Sequence, residues 1–367
     1  MIIFKVWRPE DLPLEPMESV RYERGVQEDR TLGGVVDSWS RLSDQELLSL
    51  RLNQLGLSLE GSSVARGISQ LYRELSLKGL SFRPHFWVSD EWFCPDGIPG
   101  ISVPFFLLHP RLRRLEQRYI GYVEGGDWPW MMKLLRHEAG HAIENAFNMR
   151  GWPERTSTFG STEQPYPNSY APRPYSRRFV RHLEDHYAQS HPDEDFAETF
   201  ALWLNPESQW EQRYQGWAAL EKLMTMEKLM KRVQSRSQVR KNRFRQDPIE
   251  MNKQTLGQFY RDKRRKLKLT PTRDMDANLR TVFTDGGVGL LGAGAFLKKH
   301  RQEICREVAQ GMGEYQYRIG DVLNRLSRRA DELGLSVDPS QKLAPVLDVV
   351  AAQALEDWER KRHHIVL

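Results

Sequence analysis

His137, Glu138 and His141 spell His-Glu-x-x-His, two imidazoles one helical turn apart with a carboxylate between them. Residues four apart share a helix face, so both rings can meet one tetrahedral ion. Glu138 falls on the neighbouring column, where it reaches a water on that ion without binding the metal itself. The chemistry predicted is hydrolysis by a zinc-activated water, with His137 and His141 as metal ligands and Glu138 as general base. The flanks suit a largely apolar helix, with Trp130, Met131, Met132, Leu134 and Leu135 before the motif and Ala142, Ile143, Ala146 and Phe147 after it.

A catalytic zinc commonly has three protein ligands and one open position. The candidate third ligand lies in the stretch from Ser190 to Leu204. Ser190 or His191 can cap a helix there, Pro192 suits its first turn, and the acids that follow favour its positive end. Phe196, Phe200, Trp203 and Leu204 form an apolar stripe at helical spacing, which predicts a buried helix. Glu194 and Glu198, four apart, share another face. Glu194 is read as the ligand, and Glu198 as the carboxylate that accepts a hydrogen bond from a ligand imidazole and fixes its tautomer. One sequence does not fix the rotation of that helix, so Glu198 as direct ligand stays open.

The combination resembles the gluzincin metallopeptidases, and the run Glu194-Asp195-Phe196-Ala197-Glu198 is similar to the Glu-x-Phe-Ala-Glu segment of lethal-factor-type enzymes. From about Phe82 to Tyr214 the chain resembles a bacterial family of zinc-binding metallopeptidases more closely. The resemblance is carried by Trp87 to Phe93, Pro104 to Pro110, Leu135 to His141 and His186 to Ser190. It implies a zinc peptidase acting on a peptide or protein, with Glu194 as third ligand. It also implies a catalytic role for Tyr187, seven residues before Glu194, in stabilising the oxyanion; His186 is the other candidate there. The implied fold is α+β and mostly helical: a gluzincin-like core with a small edge-strand sheet, an active-site helix and a Glu-bearing helix, then a helical C-terminal region.

The elements that must position these residues follow from local patterns. Ser43 and Glu46 form a capping box that opens a helix through about Leu55. Ile68, Leu71, Tyr72 and Leu75 predict a helix from Ser63 to Leu77. Phe86–Val88 and Val103–Leu108 read as strands, the second at an edge or starting at Pro104, which has no N–H to donate. Either an extended substrate pairs with that second strand, as the resemblance implies, or it is a plain core strand. Residues 151–175, rich in Pro, Ser, Thr and Tyr, are expected to form no regular helix. Arg177 to Tyr187 reads as helix, and Trp210, Tyr214, Trp217, Leu220, Leu223 and Met224 suggest more.

Helices also fill the C-terminal region, with Ile304, Val308, Tyr317, Ile319, Val322, Leu323 and Leu326 as core. Val346, Val349, Val350, Leu355 and Trp358 mark a last helix from Leu343 to about Arg362. Expected domain boundaries are 1–40 (partly ordered), 41–225 (peptidase-like), 226–294 (basic) and 295–367 (helical). Gly287-Val288-Gly289-Leu290-Leu291-Gly292 matches GxGxxG, but no parallel-strand unit precedes it, so no dinucleotide site is expected. His300, His363 and His364 read as surface residues; His191 lies nearer the site.

At 367 residues, 39% hydrophobic and 28% charged, the chain is long enough for a real core. No apolar run approaches the roughly 20 residues of a membrane span, and the early-charged start is not a signal peptide. With only Cys94 and Cys305, no disulfide framework is expected. These features predict a cytoplasmic, non-membrane protein. The net charge of +5 is uneven: residues 228–268 hold fifteen Lys and Arg against three acids. Phe244, Phe259 and Tyr260 interleave with them, a pattern that can track a nucleic-acid backbone, although a solvated face is the favoured reading. The alternative to an enzyme is a non-catalytic, metal-stabilised module whose basic helices engage an anionic partner.

Overall fold

The computed structural model describes residues 38–120, 122–167, 169–267, 273–287, 289–313, 316–361 and 365–366. Most of the 1–40 segment, Val288, His363 and His364, and the side chains of Tyr317 and Trp358, lie outside the described residues. The chain is mostly helical with small sheets. It divides into two compact units, Met1–Lys263 with Ile365–Leu367, and Arg264–His364. The boundaries expected at 225 and 294 fall inside these units.

The first unit begins with α1 (Asp44–Ser49) and α2 (Ser63–Leu77), then β1 (His85–Ser89) and β2 (Gly100–Pro104). Helices α3 (Pro110–Ile120), α4 (Trp128–Phe147) and α5 (Pro153–Phe159) follow, then β3 (Ser169–Tyr170), α6 (Pro192–Leu204), α7 (Trp210–Arg213) and α8 (Ala219–Gln234). Helix α9 (Leu256–Lys266) runs across the division. The second unit holds α10 (Arg273–Arg280), β4 (Thr284–Asp285), β5 (Leu291–Gly292), α11 (Ala293–Lys299), α12 (Arg301–Met312), α13 (Gln316–Glu332), β6 (Leu335–Val337) and α14 (Leu343–Lys361). The last strand, β7 (Ile365–Val366), pairs antiparallel with β3.

Several elements form where local chemistry dictates. The Ser43–Glu46 capping box is present, but α1 stops at Ser49 because Leu50 turns extended, and a separate 3-10 turn covers Leu52–Gln54. Helix α2 spans the predicted residues, and its buried Glu74 takes both nitrogens of an Arg136 fork, at 2.7 and 2.8 Å, tying α2 to α4.

The sheet departs from expectation. β1 and β2 pair in parallel, with Trp87 opposite Ser102 and Ser89 opposite Pro104. Pro104 ends β2 rather than starting it, and Phe105–Leu108 coils into a 3-10 turn whose phenylalanines fill the core. All five residues of β2 are buried, and on its second side the Ser102 N–H donates to Phe93 O at 2.9 Å. β2 is a core strand, so it offers no open edge there for a substrate.

Two stretches between α4 and α6 also differ. Residues 151–175 do contain a helix, α5, which Pro153 opens from its first turn. Residues 177–187 form no helix; the only regular piece is a 3-10 turn at Glu184–Gln189, broken by left-handed Asp185 (φ 58°) and His186 (φ 56°). Tertiary partners claim that backbone instead. Leu183 N–H donates to Glu198, Arg181 N–H to Tyr214 Oη, and Arg177 O accepts from Ala219 N–H.

The basic stretch is only partly helical. After α8 it crosses the unit as an irregular strap whose main chain is held by β1: the Phe244, Gln246 and Asp247 carbonyls meet the side chains of His85, Trp87 and Ser89. Phe259 and Tyr260 are buried core residues, which removes them as stacking platforms; Phe244 is half exposed.

In the second unit β4 and β5 flank β6, both antiparallel to it. The glycine-rich stretch therefore leads from β4 to β5, which lie on opposite sides of β6 and pair only with it, and among the described residues no crossover helix separates them as in a parallel βαβ unit. Ile304, Val308, Ile319, Val322, Leu323, Leu326, Val346 and Val350 form one apolar cluster with Phe283 and Phe296. The last helix forms as expected over Leu343–Lys361, with Val346 and Val350 in the cluster and Leu355 exposed. Among the described residues, no helix is long and apolar enough to cross a membrane.

Candidate metal centre

Two helices build the site. Asp127 caps α4 by accepting from Trp130 N–H, and left-handed Asn148 (φ 50°) ends it. His191 caps α6: its Nδ1 accepts from Asp193 N–H at 3.2 Å, while Nε2 lies 2.8 Å from Gln164 O. His191 is thus a buried capping residue. The helices touch where Gly140 meets Ala197; a Cβ on Gly140 would lie 2.8 Å from the Ala197 Cα. Glycine inside the His-Glu-x-x-His turn is what permits this approach.

The crossing brings together side chains far apart in sequence. His137 Nε2 and His141 Nε2 are 3.1 Å apart, and Glu194 Oε2 lies 3.1 Å from the first and 3.2 Å from the second. In a tetrahedral zinc site with bonds of about 2.0–2.1 Å, neighbouring donors lie about 3.3–3.4 Å apart. The three atoms therefore match one face of such a site, and His137, His141 and Glu194 could hold a metal ion.

Glu198 lies behind the histidines. Its Oε1 is 2.9 Å from His137 Nδ1 and its Oε2 accepts from Leu183 N–H at 2.9 Å. That carboxylate fixes the His137 tautomer and leaves Nε2 facing the cluster. Glu194 is held as well: Tyr166 Oη donates to its Oε1 at 2.9 Å, while the Tyr166 ring stacks on His191 at 3.7 Å between centroids. Residue types gave no sign of Tyr166, which sits in a proline-rich stretch 28 residues before Glu194.

The electrostatics favour a buried positive charge. Burial alone would lower the pKa of His137, but Glu194 and Glu198 outweigh it and push it up to about 10. Burial acts the same way on His141, and Glu194 raises it. Glu194 itself, despite burial, is held well below the usual carboxylate range by His141 and His137.

Glu138 differs from both other glutamates. It is fully buried, and neither carboxylate oxygen has a hydrogen-bond partner. Burial lifts its pKa to about 7, with His137 and His141 opposing the rise. Tyr187 is buried with its ring centroid 5.7 Å from that of His137. Burial, then the charge of Glu194, keep its hydroxyl protonated far above neutral pH. His186 is half-buried in the left-handed pair before it. His300 packs against Phe296 in the second unit.

The family model described as "Putative zinc-binding metallo-peptidase" matches residues 130–252, from the start of α4 through α6 and α8 to the end of the basic strap. No curated protein and no solved structure shows a significant match to the chain. The matched region contains every residue of the cluster, so the part of the chain that could hold a metal ion is the part similar to that family.

Proposed function

We propose that the protein hydrolyses peptide bonds at a zinc site held by His137, His141 and Glu194, with Glu138 as general base. A zinc ion bound there supplies Lewis acidity that polarises a substrate carbonyl and makes water nucleophilic near neutral pH. Glu138 takes the proton of the attacking water and delivers it to the leaving amine. Tyr187 donates a hydrogen bond to the oxygen that gains charge as the carbonyl becomes tetrahedral. Glu198 keeps the His137 ring in one orientation throughout.

The observation that carries this reading is the buried, unpartnered carboxylate of Glu138 beside three convergent donors. Leaving such a group unpaired costs free energy that a purely structural metal site has no reason to spend. This favours the enzyme over a non-catalytic metal module. The test is Glu138→Gln, assayed on unfolded protein and a mixed peptide library. The variant should keep its zinc and its fold and lose hydrolysis by roughly 10²-fold or more, the scale of general-base catalysis. Wild-type hydrolysis by that variant would remove Glu138 from the reaction.

A further inference from the structure

Behind the metal cluster lies a second buried group of charges that the reaction does not use. Arg155 of α5 has no exposure at all, and its fork is fully engaged. Nε donates to Glu144 Oε1 at 2.6 Å, Nη2 to Asp193 Oδ1 at 2.5 Å, and Nη1 to Gly160 O at 2.8 Å. Arg150 takes the other oxygen of each carboxylate, Glu144 Oε2 at 3.3 Å and Asp193 Oδ2 at 3.0 Å. Two guanidinium groups and two carboxylates thus alternate in a ring, and Arg150, at its partly exposed rim, also pairs with Asp96 at 2.8 Å.

The position of the ring gives it meaning. Glu144 stands three residues after His141 on α4, and Asp193 immediately precedes Glu194 on α6. The ring therefore bridges the two helices one turn or less from a donor on each. We propose that Arg155 is a positioning residue for the metal site: by bridging Glu144 and Asp193 it sets the approach of Glu194 to His137 and His141. This rests on the metal-site reading given above.

A buried ion ring is a poor source of stability, because desolvation offsets most of the attraction. Its value lies in geometry. A planar fork with donors in fixed directions holds two carboxylates at one separation, which the flexible single point of a lysine cannot do. The Gly140–Ala197 contact sets how closely the helices touch. The ring fixes their register at the end of α6 that carries Glu194.

The test uses Arg155→Lys in the full chain, which keeps the charge and loses the bridge. Zinc affinity is read by competition with a chromophoric chelator, and geometry from the visible spectrum of the cobalt(II)-loaded protein. Leu223→Ala, a buried position on α8 outside the site, serves as the destabilised control. The expected result is zinc binding weakened by about 10–100-fold in Arg155→Lys, with an altered cobalt spectrum. Leu223→Ala should melt earlier yet keep both wild-type readings.

Arg155→Lys with wild-type affinity and spectrum, whatever its melting temperature, would overturn the positioning role alone. If Arg155→Lys does not fold, Asp193→Asn releases only the α6 side of the ring and should change the same readings less. Unchanged readings in Asp193→Asn would equally overturn the role. Wild-type protein that takes up neither ion would overturn the metal-site reading, and this inference with it.

Discussion

The two compact units bury very different interiors. Between them α4 and α6 bury His137, Glu138, Glu144, Asp193, Glu194, Asp195 and Glu198 among their apolar side chains. In the second unit, Ser327 and Gln353 are the buried polar residues among those described. Its ion pairs range from partly buried, as with Arg329 and Asp276, to exposed, as with Arg280 and Asp285, which are 47% and 79% exposed. Both units are helical and obey the same packing rules. The described interior of the second is an apolar cluster that includes Phe296 and Ile304. The first carries buried charge whose cost makes sense only if the charges have work to do.

That contrast predicts different failures. The largest effect on stability should come from the apolar unit: Phe296→Ala should cost about 3–5 kcal/mol in chemical denaturation, the usual range for emptying a buried phenylalanine. Its zinc affinity should stay wild-type, and a matching loss of zinc would erase the distinction between the units. In the charged unit, the buried His182 should make stability pH-dependent. Burial holds its pKa down to about 4, against an ordinary 6.5, while its Nε2 donates to Lys133 O at 3.0 Å.

The folded state therefore binds this proton less readily than the unfolded chain. Its contribution is complete above pH 6.5 and is lost as pH falls toward 4, about 3 kcal/mol at 1.36 kcal/mol per pKa unit. Urea melts of chelator-treated protein at pH 7 and pH 5 should show the loss, and His182→Gln should reduce it. An unchanged slope in that variant would show that other groups set the acid sensitivity.

A smaller change tests the helix contact itself. Gly140→Ala places a methyl against the Ala197 backbone, so the helices must part by some tenths of an ångström. Zinc affinity should fall by about tenfold, toward the lower end of what disturbed ligand support costs. Wild-type affinity would mean that the crossing is less tight than described. The smallest effect belongs to the second unit's surface. Arg280→Ala should move stability by no more than about 0.5 kcal/mol, because an exposed pair is screened by solvent.

What the sequence made legible were the features with short-range causes. The capping box of α1, the bounds of α2, the course of α4 and the start of α6 with Pro192 in its first turn all follow from neighbours within one or two turns. The pairing of His137 and His141 is also local, because helix geometry alone places them together. Long-range partners were not legible. Arg155 looks like one more polar residue in a proline-, serine- and threonine-rich stretch until folding sets it between Glu144 and Asp193, which are 11 and 38 residues away.

Tyr166 acquires its role in the same way, through Glu194 and His191. The stretch 177–187 has a helix-compatible sequence, yet the Glu198 carboxylate and the Tyr214 hydroxyl take its N–H groups. Phe105 and Phe106 read as strand by their residue types, but they close a turn after Pro104 because the core lies on that side.

The measurement that tests the central claim most directly is zinc content of three purified proteins: wild type, Glu194→Ala and Glu198→Ala. Glu194 Oε2 meets both imidazoles, whereas Glu198 meets only the far nitrogen of His137. Wild-type protein should carry about one zinc per chain. Glu194→Ala should be largely metal-free, and Glu198→Ala should stay loaded at saturating zinc with about 10–100-fold weaker affinity. Equal zinc in all three proteins, or loss in Glu198→Ala with retention in Glu194→Ala, would contradict the account.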